Sequence, residues 1–147
     1  MNLFAQQQEL VAVVEVAGEI VGQIGAGLMI LLGVTHSDTE ANARQLADKI
    51  IGLRIFGDAD GKMNLSVQDT QGGLLVVSNF TLYADTKKGF RPNFLDAAKP
   101  EAAEKLYEYF VDYLRTNAAV AVETGIFGAM MNVSLVNDGP VTIVLEK

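Results

Sequence analysis

The sequence predicts a single α/β domain with a layered architecture, in which two main helices pack against a mixed, mostly antiparallel sheet or a barrel-like core. Three observations predict this class. The chain of 147 residues has the length of one domain, half of it is hydrophobic, and several short apolar strands accompany two helical repeats in irregular order. Because no linker, internal repeat or low-complexity stretch interrupts the chain, we treat residues 1–147 as one domain.

The N-terminal part of the chain predicts a hairpin followed by a central strand. Residues 11–16 are rich in valine and typical of a strand, and Ala17-Gly18 can turn the chain into a second strand at residues 19–21. Residues 28–32 form a continuous apolar run without polar alternation. So short a run favours a strand that is covered on both faces, and we expect it at the centre of the sheet.

Two segments have the periodicity of amphipathic helices. Ser37 and Glu40 have the Ser-x-x-Glu spacing of a capping box, and the apolar residues that follow predict a helix from about Thr39 to Leu53. Pro100 is a suitable first residue for the second helix, because the N–H that proline lacks would be unpaired there. The second helix has an apolar stripe formed by Ala103, Leu106, Phe110 and Leu114.

The remaining strands are predicted in the second half of the chain. Residues 58–64 have the composition of a turn, and residues 74–77 form another apolar run that predicts a second buried strand. The tail alternates over residues 131–135, breaks at residues 137–140 and resumes over residues 141–145. This pattern predicts two further strands at the end of the chain.

Composition excludes several kinds of chemistry. Eighteen acidic and eleven basic residues give a net charge of −7, which argues against indiscriminate binding to DNA or anionic membranes. The absence of cysteine excludes disulfides, thiolate metal sites and a cysteine nucleophile, and the single histidine, His36, excludes a multi-histidine zinc centre. We expect His36 to be an exposed loop residue, and we expect no metal or cofactor. Since the longest apolar run is too short to span a membrane, we expect a cytoplasmic protein.

Two polar segments are candidates for a functional site. The second buried strand ends in residues 78–81, with the sequence Ser-Asn-Phe-Thr, and residues 137–140, with the sequence Asn-Asp-Gly-Pro, separate the two tail strands. By pattern alone each has a structural explanation, because Ser78 and Thr81 can hydrogen-bond the backbone at a strand end and the second segment can be a turn. Pattern alone leads no further than a domain with a polar strand end.

The same two segments resemble a known family. Residues 78–82 and 137–142 are similar to the two signature motifs of the D-aminoacyl-tRNA deacylases. Further similar segments occur in family order at residues 18–22, 25–28, 32–34, 54–56, 61–65, 84–86, 91–92 and 94. The resemblance covers nearly the whole chain, so the chain is identified as a member of this family.

The resemblance implies a homodimeric α/β protein that hydrolyses the ester joining a D-amino acid to the terminal adenosine of tRNA, with glycyl-tRNA as a further expected substrate. It implies no metal or cofactor. The net charge and the short apolar runs lead us to expect neither a membrane nor a DNA partner. Such a reaction demands little from side chains, because the ester is already activated and the neighbouring ribose hydroxyl can help to activate water. A backbone donor to the developing oxyanion can supply about 3 kcal/mol of transition-state stabilisation.

The resemblance also assigns roles to residues. The catalytic residues would be Ser78, Phe80 and Thr81, with the backbone N–H groups of Phe80 and Thr81 near the substrate carbonyl. Gly139-Pro140, with a cis peptide bond, would enter the partner subunit's pocket, hold the substrate's amino group and leave no room for an L side chain. The expected substrate-binding residues are Asn79, Met131, Asn137, Gly139 and Pro140, and the expected tRNA-contacting residues are Lys87, Lys88 and Arg91.

Three positions depart from the family pattern. The family usually has glutamine at Asn79 and arginine at both Gln8 and Ile126, so this chain lacks two positive charges and has a shorter amide in the pocket. Two alternatives therefore stay open beside the deacylase. One is a diverged paralogue that acts on another small aminoacyl ester, and the other is a non-catalytic tRNA-binding or interaction module.

Overall fold

A six-stranded mixed sheet forms the body of the protein. The computed structural model describes the backbone of residues 1–147 and the side chains of residues 1–5 and 11–147. The strands are β1 (Asn2–Val16), β2 (Glu19–Ile24), β3 (Gly27–Gly33), β4 (Phe56–Gly57), β5 (Met63–Leu65), β6 (Gly73–Ser78), β7 (Val122–Thr124) and β8 (Asn132–Glu146). β4 and β5 form a separate two-stranded sheet, and all the other strands belong to the main one.

The main sheet curls until its ends nearly meet. Strand β1 pairs along both of its edges. Along one edge, its residues 2–8 pair antiparallel with β3 and its residues 12–16 pair antiparallel with β2; along the other edge it pairs antiparallel with β8. β3, β6 and β7 pair in parallel. β2 approaches β7 so closely that a Cβ on Gly22 would lie 2.2 Å from the Thr124 carbonyl oxygen, which only glycine permits. The expected mixed, barrel-like core is therefore confirmed.

The two apolar strands are buried on both faces, as predicted. Alternate side chains of β3 and β6, among them Ile30 and Val76, face the helices and belong to the larger hydrophobic cluster. The intervening side chains, among them Met29, Leu75 and Val77, form a second cluster with Ala12, Val14 and Ile24 inside the barrel. Burying each large aliphatic side chain contributes roughly 1.5–3 kcal/mol, so these central strands contribute strongly to the stability of the sheet.

Two helices cover one face of the sheet. α1 (Glu40–Gly52) and α2 (Pro100–Asn117) bury their apolar stripes in the larger cluster, and α2 begins at Pro100 as predicted. The predicted capping box of Ser37 and Glu40 is wrong. Thr39 is the N-cap, and its N–H and hydroxyl donate to the side-chain oxygen of Asn42 at 2.9 and 2.6 Å. The chain turns before this point because the Asp38 carboxylate accepts the Thr35 N–H at 2.8 Å.

Three further differences concern the strands. β1 begins at Asn2 and not near Val11, and β7 was not expected at all. The tail forms one strand, β8, where two were predicted. Its pairing with β1 is interrupted in the middle, because Asn137 is opposite Gln8 whereas Thr142 is opposite Gln6. The intervening residues 138–141 bulge out of the ladder, and both flanks stay in the same strand because β1 is long enough to pair with each of them.

No helix of the described structure has both the length and the apolar character needed to cross a membrane.

Candidate active site

A cleft of about 710 Å³ opens at the carboxyl end of β6. Because β3 and β6 run in parallel, with Leu32 opposite Ser78, their ends lie side by side at this edge of the sheet. One part of the lining consists of Ser78, Asn79 and Phe80. The rest comes mainly from residues 127–131, from residues 97–98 and from the start of α2. The cleft therefore brings together four of the predicted site residues: Ser78, Asn79, Phe80 and Met131.

Asn79 holds the turn that follows β6. Its N–H donates to the Leu32 carbonyl at 2.8 Å, and its side chain caps the 3-10 turn Phe80–Tyr83. The side-chain oxygen of Asn79 accepts the Thr81 N–H at 3.1 Å and the Thr81 hydroxyl at 2.5 Å. The Phe80 N–H, in contrast, donates to no other group of the described residues, since it is the first N–H of the turn. Of the two N–H groups expected near a substrate carbonyl, one is free and the other is bonded to Asn79.

If the chain hydrolyses the aminoacyl ester that the resemblance implies, we expect Asn79→Gln to accelerate that hydrolysis about fivefold, because a longer side chain releases the Thr81 N–H from a bond with a net value of about 1 kcal/mol. The lost cap should lower the free energy of unfolding by about 1 kcal/mol. Single-turnover hydrolysis and urea unfolding measure the two effects. Asn79→Ala is the matched control, since it also releases that N–H but adds no new amide. If Asn79→Gln is stable and no faster than the parent chain, the Asn79 contact does not restrain the reaction.

The floor of the cleft contains a buried tyrosine that the sequence analysis missed. The Tyr107 hydroxyl donates to the Val76 carbonyl at 2.9 Å, and the Tyr107 ring lies 5.8 Å from the ring of Phe127. Burial raises the pKa of Tyr107 to about 12, so the phenol keeps its proton at neutral pH and cannot act as a base there. The available signal was its place beside Leu106 on a buried helical face, where a tyrosine hydroxyl needs a partner.

Tyr107→Phe is expected to lower the free energy of unfolding by about 1 kcal/mol at neutral pH, because one buried hydrogen bond is lost. The folded pKa lies above the ordinary value of 10.0, so the hydroxyl stabilises the fold fully below pH 10.0. That contribution is lost as the pH rises towards about 12. Urea titrations across this pH range should therefore show that the free energy of unfolding falls less steeply with pH for Tyr107→Phe than for the parent chain. An equally steep fall would mean that ionisation of Tyr107 is not coupled to unfolding.

The glycine-proline segment lies outside the cleft of its own chain. None of residues 137–142 lines the cleft, and Gly139 and Pro140 are exposed. The Gly139-Pro140 peptide bond is cis, as expected. Asn137 is predicted to bind substrate, and in this structure its side chain closes the base of the bulge. Its oxygen accepts the Val141 N–H at 3.2 Å, and its nitrogen donates to the Thr142 hydroxyl at 3.0 Å.

Comparison with known proteins decides the family. Residues 6–146 match the family model described as D-Tyr-tRNA(Tyr) deacylase. The chain belongs to this family. A Bacillus cereus (strain B4264) protein named D-aminoacyl-tRNA deacylase is 57% identical over 141 residues, which are 96% of each chain. A Bacillus subtilis (strain 168) protein named Inactive D-aminoacyl-tRNA deacylase is 59% identical over 129 residues, covering 88% of this chain and 97% of that one.

Two solved structures have the same fold as this member of the deacylase family. One is named c-Myc DNA Unwinding Element Binding Protein; it is 40% identical, with a TM-score of 0.94 and coverage of 100% of this chain and 99% of that one. The other is described as a probable eukaryotic D-amino acid tRNA deacylase. At 17% identity, with a TM-score of 0.82 and coverage of 98% of this chain and 97% of that one, it supports the fold alone.

The cleft at the end of β6 contains few charged groups. Among the described residues that line it, Lys99 is charged, and there is no carboxylate or histidine. His36 is exposed, as expected, and lies at a second cavity of about 420 Å³, where its ring nitrogen Nε2 is 2.7 Å from the Leu95 carbonyl oxygen. No group of three or more His, Asp or Glu side chains placed to hold a metal ion occurs in the described part of the chain.

The other predicted residues lie around this cleft or outside it. Thr81 is exposed on the 3-10 turn and does not line the cleft. The cations Lys87, Lys88 and Arg91 are exposed on a loop whose base is closed by backbone pairing between Asp85 and Asn93. Of the positions that depart from the family pattern, Ile126 is partly exposed between β7 and β8, and the side chain of Gln8 lies outside the described residues.

Proposed function

We propose that this protein hydrolyses the ester between a D-amino acid and the 3′-terminal adenosine of tRNA, releasing the free amino acid and tRNA. The observation that carries the proposal is the unpaired Phe80 N–H at the wall of an apolar cleft, in a chain 57% identical to a D-aminoacyl-tRNA deacylase. The cleft volume of about 710 Å³ is suitable for a small ligand such as an aminoacyl-adenosine. We assign the reaction to the cytoplasm, where tRNA is charged, and it involves neither a membrane nor DNA.

The chemistry would use backbone groups and the substrate itself. A water molecule attacks the ester carbonyl carbon, the bond to the ribose oxygen breaks, and the leaving oxygen takes a proton. The Phe80 N–H would donate to the developing oxyanion, an interaction that typically contributes about 3 kcal/mol. The ribose hydroxyl beside the ester would orient the water, because the described lining offers no carboxylate or histidine as a base. Ser78 and Thr81 would shape the site around the ester.

Chiral selection would need a second subunit. The Gly139-Pro140 segment is exposed, has a defined shape held by Asn137, and lies outside the cleft of its own chain. In a symmetric dimer each subunit would insert this segment into the partner's cleft, where backbone carbonyls would bind the substrate's amino group. A backbone wall would exclude every L side chain and accept D side chains of many kinds, and glycine as well. Lys87, Lys88 and Arg91 would contact the tRNA phosphates.

Matched D- and L-aminoacyl-tRNAs test this function. We expect release of the amino acid from the D form and protection of the L form, with the purified protein at catalytic concentration. The second candidate function is tRNA binding without hydrolysis. It is favoured by one observation, the Bacillus subtilis relative that is named as inactive. Retained tRNA binding with no release would favour that candidate. Release from small aminoacyl esters alone would favour a diverged esterase, and equal release from both forms would contradict chiral selection.

A further inference from the structure

The loop of residues 84–93 carries an aromatic ring that the fold does not use. Phe90 is 109% exposed, more than any other large apolar side chain of the described residues. It follows Gly89, which has a φ of +71°, at the tip of the loop. Most large apolar side chains bury part of their surface, so a phenyl ring in full contact with water contributes nothing to folding. A ring presented in this way is available for a ligand.

Hydrogen bonds hold the base of this loop in a defined form. The Asp85 N–H donates to the Asn93 carbonyl at 2.9 Å, and the Asn93 N–H donates back to the Asp85 carbonyl at 3.1 Å. The Asp85 carboxylate accepts the Lys87 N–H at 2.9 Å, a bond that also lowers the pKa of Asp85 below its ordinary value. These contacts tie both ends of the loop together, so the point from which the loop projects is fixed.

The loop projects from the rim of the cleft. Phe94 follows the paired base directly, and its ring packs edge-to-face on the ring of Phe80 with 5.0 Å between centroids. Both rings line the cleft. A chain molecule whose terminal unit occupied the cleft would therefore have its next units close to the loop.

The charge of the tip indicates what kind of chain molecule it would bind. Residues 86–92 contain Lys87, Lys88 and Arg91 and no acidic residue, although the whole protein has a net charge of −7. An exposed ring among cations is the combination that binds single-stranded nucleic acid, because the ring stacks on an unpaired base while the cations contact phosphates. A lone ring offers too little apolar area for a stable protein interface.

We propose that Phe90 stacks on an unpaired base that precedes the 3′-terminal adenosine of the RNA substrate, while Lys87, Lys88 and Arg91 contact its phosphates. This inference rests on the proposed function for the identity of the RNA. It goes beyond it by assigning a base-binding residue outside the cleft. Since tRNA that carries no amino acid has the same terminal bases, the contact can be measured without any hydrolysis.

A fluorescent variant tests the stacking directly. The protein contains no tryptophan, so Phe90→Trp introduces a single indole whose emission can be excited apart from the tyrosines. We expect saturable quenching by a short single-stranded RNA that ends in cytidine-cytidine-adenosine. A blunt RNA duplex of equal charge should quench weakly, because its bases are already stacked. Equal quenching by single-stranded RNA and duplex, or none by either, would overturn the proposal.

Affinity measurements then separate the ring from its charges. Phe90→Ala and Phe90→Leu should each raise the Kd for uncharged tRNA roughly 5- to 150-fold, since neither side chain can stack. Met63→Ala, at another exposed apolar side chain, is the matched control and should leave the Kd unchanged. Removing one of the three lysine or arginine charges should reduce the slope of log Kd against log salt by about 0.7. An unchanged Kd for Phe90→Leu would mean a simple apolar contact and would contradict stacking.

Changes at the 3′ end of the nucleic acid give the last comparison of binding affinities. tRNA that lacks its unpaired 3′ end should bind the parent chain and Phe90→Ala equally weakly. A single-stranded DNA of the same sequence tests whether the loop requires RNA, and tighter binding of DNA than RNA would contradict the assignment to an RNA substrate. If stacking is observed but no aminoacyl-tRNA is hydrolysed, the proposed function fails, while the assignment of Phe90 as a residue that stacks on an unpaired RNA base stands. Hydrolysis with no contribution from Phe90 gives the opposite result.

Discussion

Gly139→Ala is expected to reduce D-aminoacyl-tRNA hydrolysis by at least about 100-fold, because a displacement of about 1 Å at a reacting centre costs that much. Gly139 has a φ of +122°, and a Cβ there would lie 2.9 Å from the Val141 Cγ2 and 3.0 Å from its nitrogen. The bulge must therefore change shape. Because Gly139 and Pro140 are exposed and belong to neither hydrophobic cluster, and Val141 packs only partly against the larger one, the chain should stay folded. Single-turnover hydrolysis and thermal unfolding measure the two effects.

Gly61→Ala is the matched control for this substitution. Gly61 also has a positive φ, of +75°, but no atom lies within 4 Å of a Cβ placed there, and it is in the turn between β4 and β5. It should lose about 1 kcal/mol of stability through backbone strain and keep full activity. If Gly139→Ala proves as active as Gly61→Ala, the glycine-proline segment has no part in the reaction.

Phe80→Pro is expected to lose roughly 10²- to 10³-fold in the rate of hydrolysis, because it removes the proposed donor to the oxyanion. The substitution suits the local backbone: Phe80 is the first residue of its 3-10 turn, and Asn79 before it is extended, at φ −147° and ψ 94°. Phe80→Ala is the matched control, since it removes the same ring and keeps the N–H. Equal rates for the two variants in single-turnover assays would exclude the Phe80 N–H as the donor.

The two variants together test the proposed exchange between subunits. If Gly139 of one subunit completes the cleft of the other, mixed dimers of Gly139→Ala and Phe80→Pro chains have one intact site. Random exchange should then recover about a quarter of the parent activity, since half of the dimers are mixed and one of their two sites works. No recovery from dimers shown to be mixed would mean that each segment acts in its own subunit.

A change in the substrate tests the remaining part of the mechanism. A tRNA whose terminal ribose hydroxyl beside the ester is replaced by hydrogen should react far more slowly, although it should bind normally. His36→Ala should leave the rate within about twofold, because His36 lies at the second cavity and contacts the Leu95 carbonyl. A large loss in His36→Ala, with binding intact, would make a histidine base the better explanation.

Local sequence patterns predicted those strands and helices whose burial follows from their own residues. The apolar runs at residues 28–32 and 74–77 favoured strands buried on both faces, and the chemistry of proline favoured a helix starting at Pro100. The early part of β1 was missed because its polar glutamines have no apolar alternation. Pairing with β3 and β8 supplies the stability there, and a local pattern cannot show a partner that is distant in the chain.

The substrate-binding roles of Asn79 and Asn137 stay predictions. Each side chain makes hydrogen bonds within its own loop, as short amides in turns often do, and the local sequence did not indicate these contacts. Tyr107 was missed because its partner, the Val76 carbonyl, belongs to a strand that precedes it by 31 positions. Nothing in the neighbouring sequence indicates that contact.

The sequence by itself determined the family, the two buried strands, the polar residues 78–81 at a strand end, and a chemistry without cysteine and with a single histidine. Only the tertiary structure decided that residues 78–80, Phe94 and residues 127–131 meet in one cleft. It also decided that Gly139-Pro140 lies outside that cleft and that Phe90 is exposed on the loop that leads to Phe94 in the cleft lining. The reason is that parallel pairing of β3, β6 and β7, and the long pairing of β1 with β8, join segments far apart in the chain. Such pairings depend on the packing of the whole sheet, which no single segment specifies.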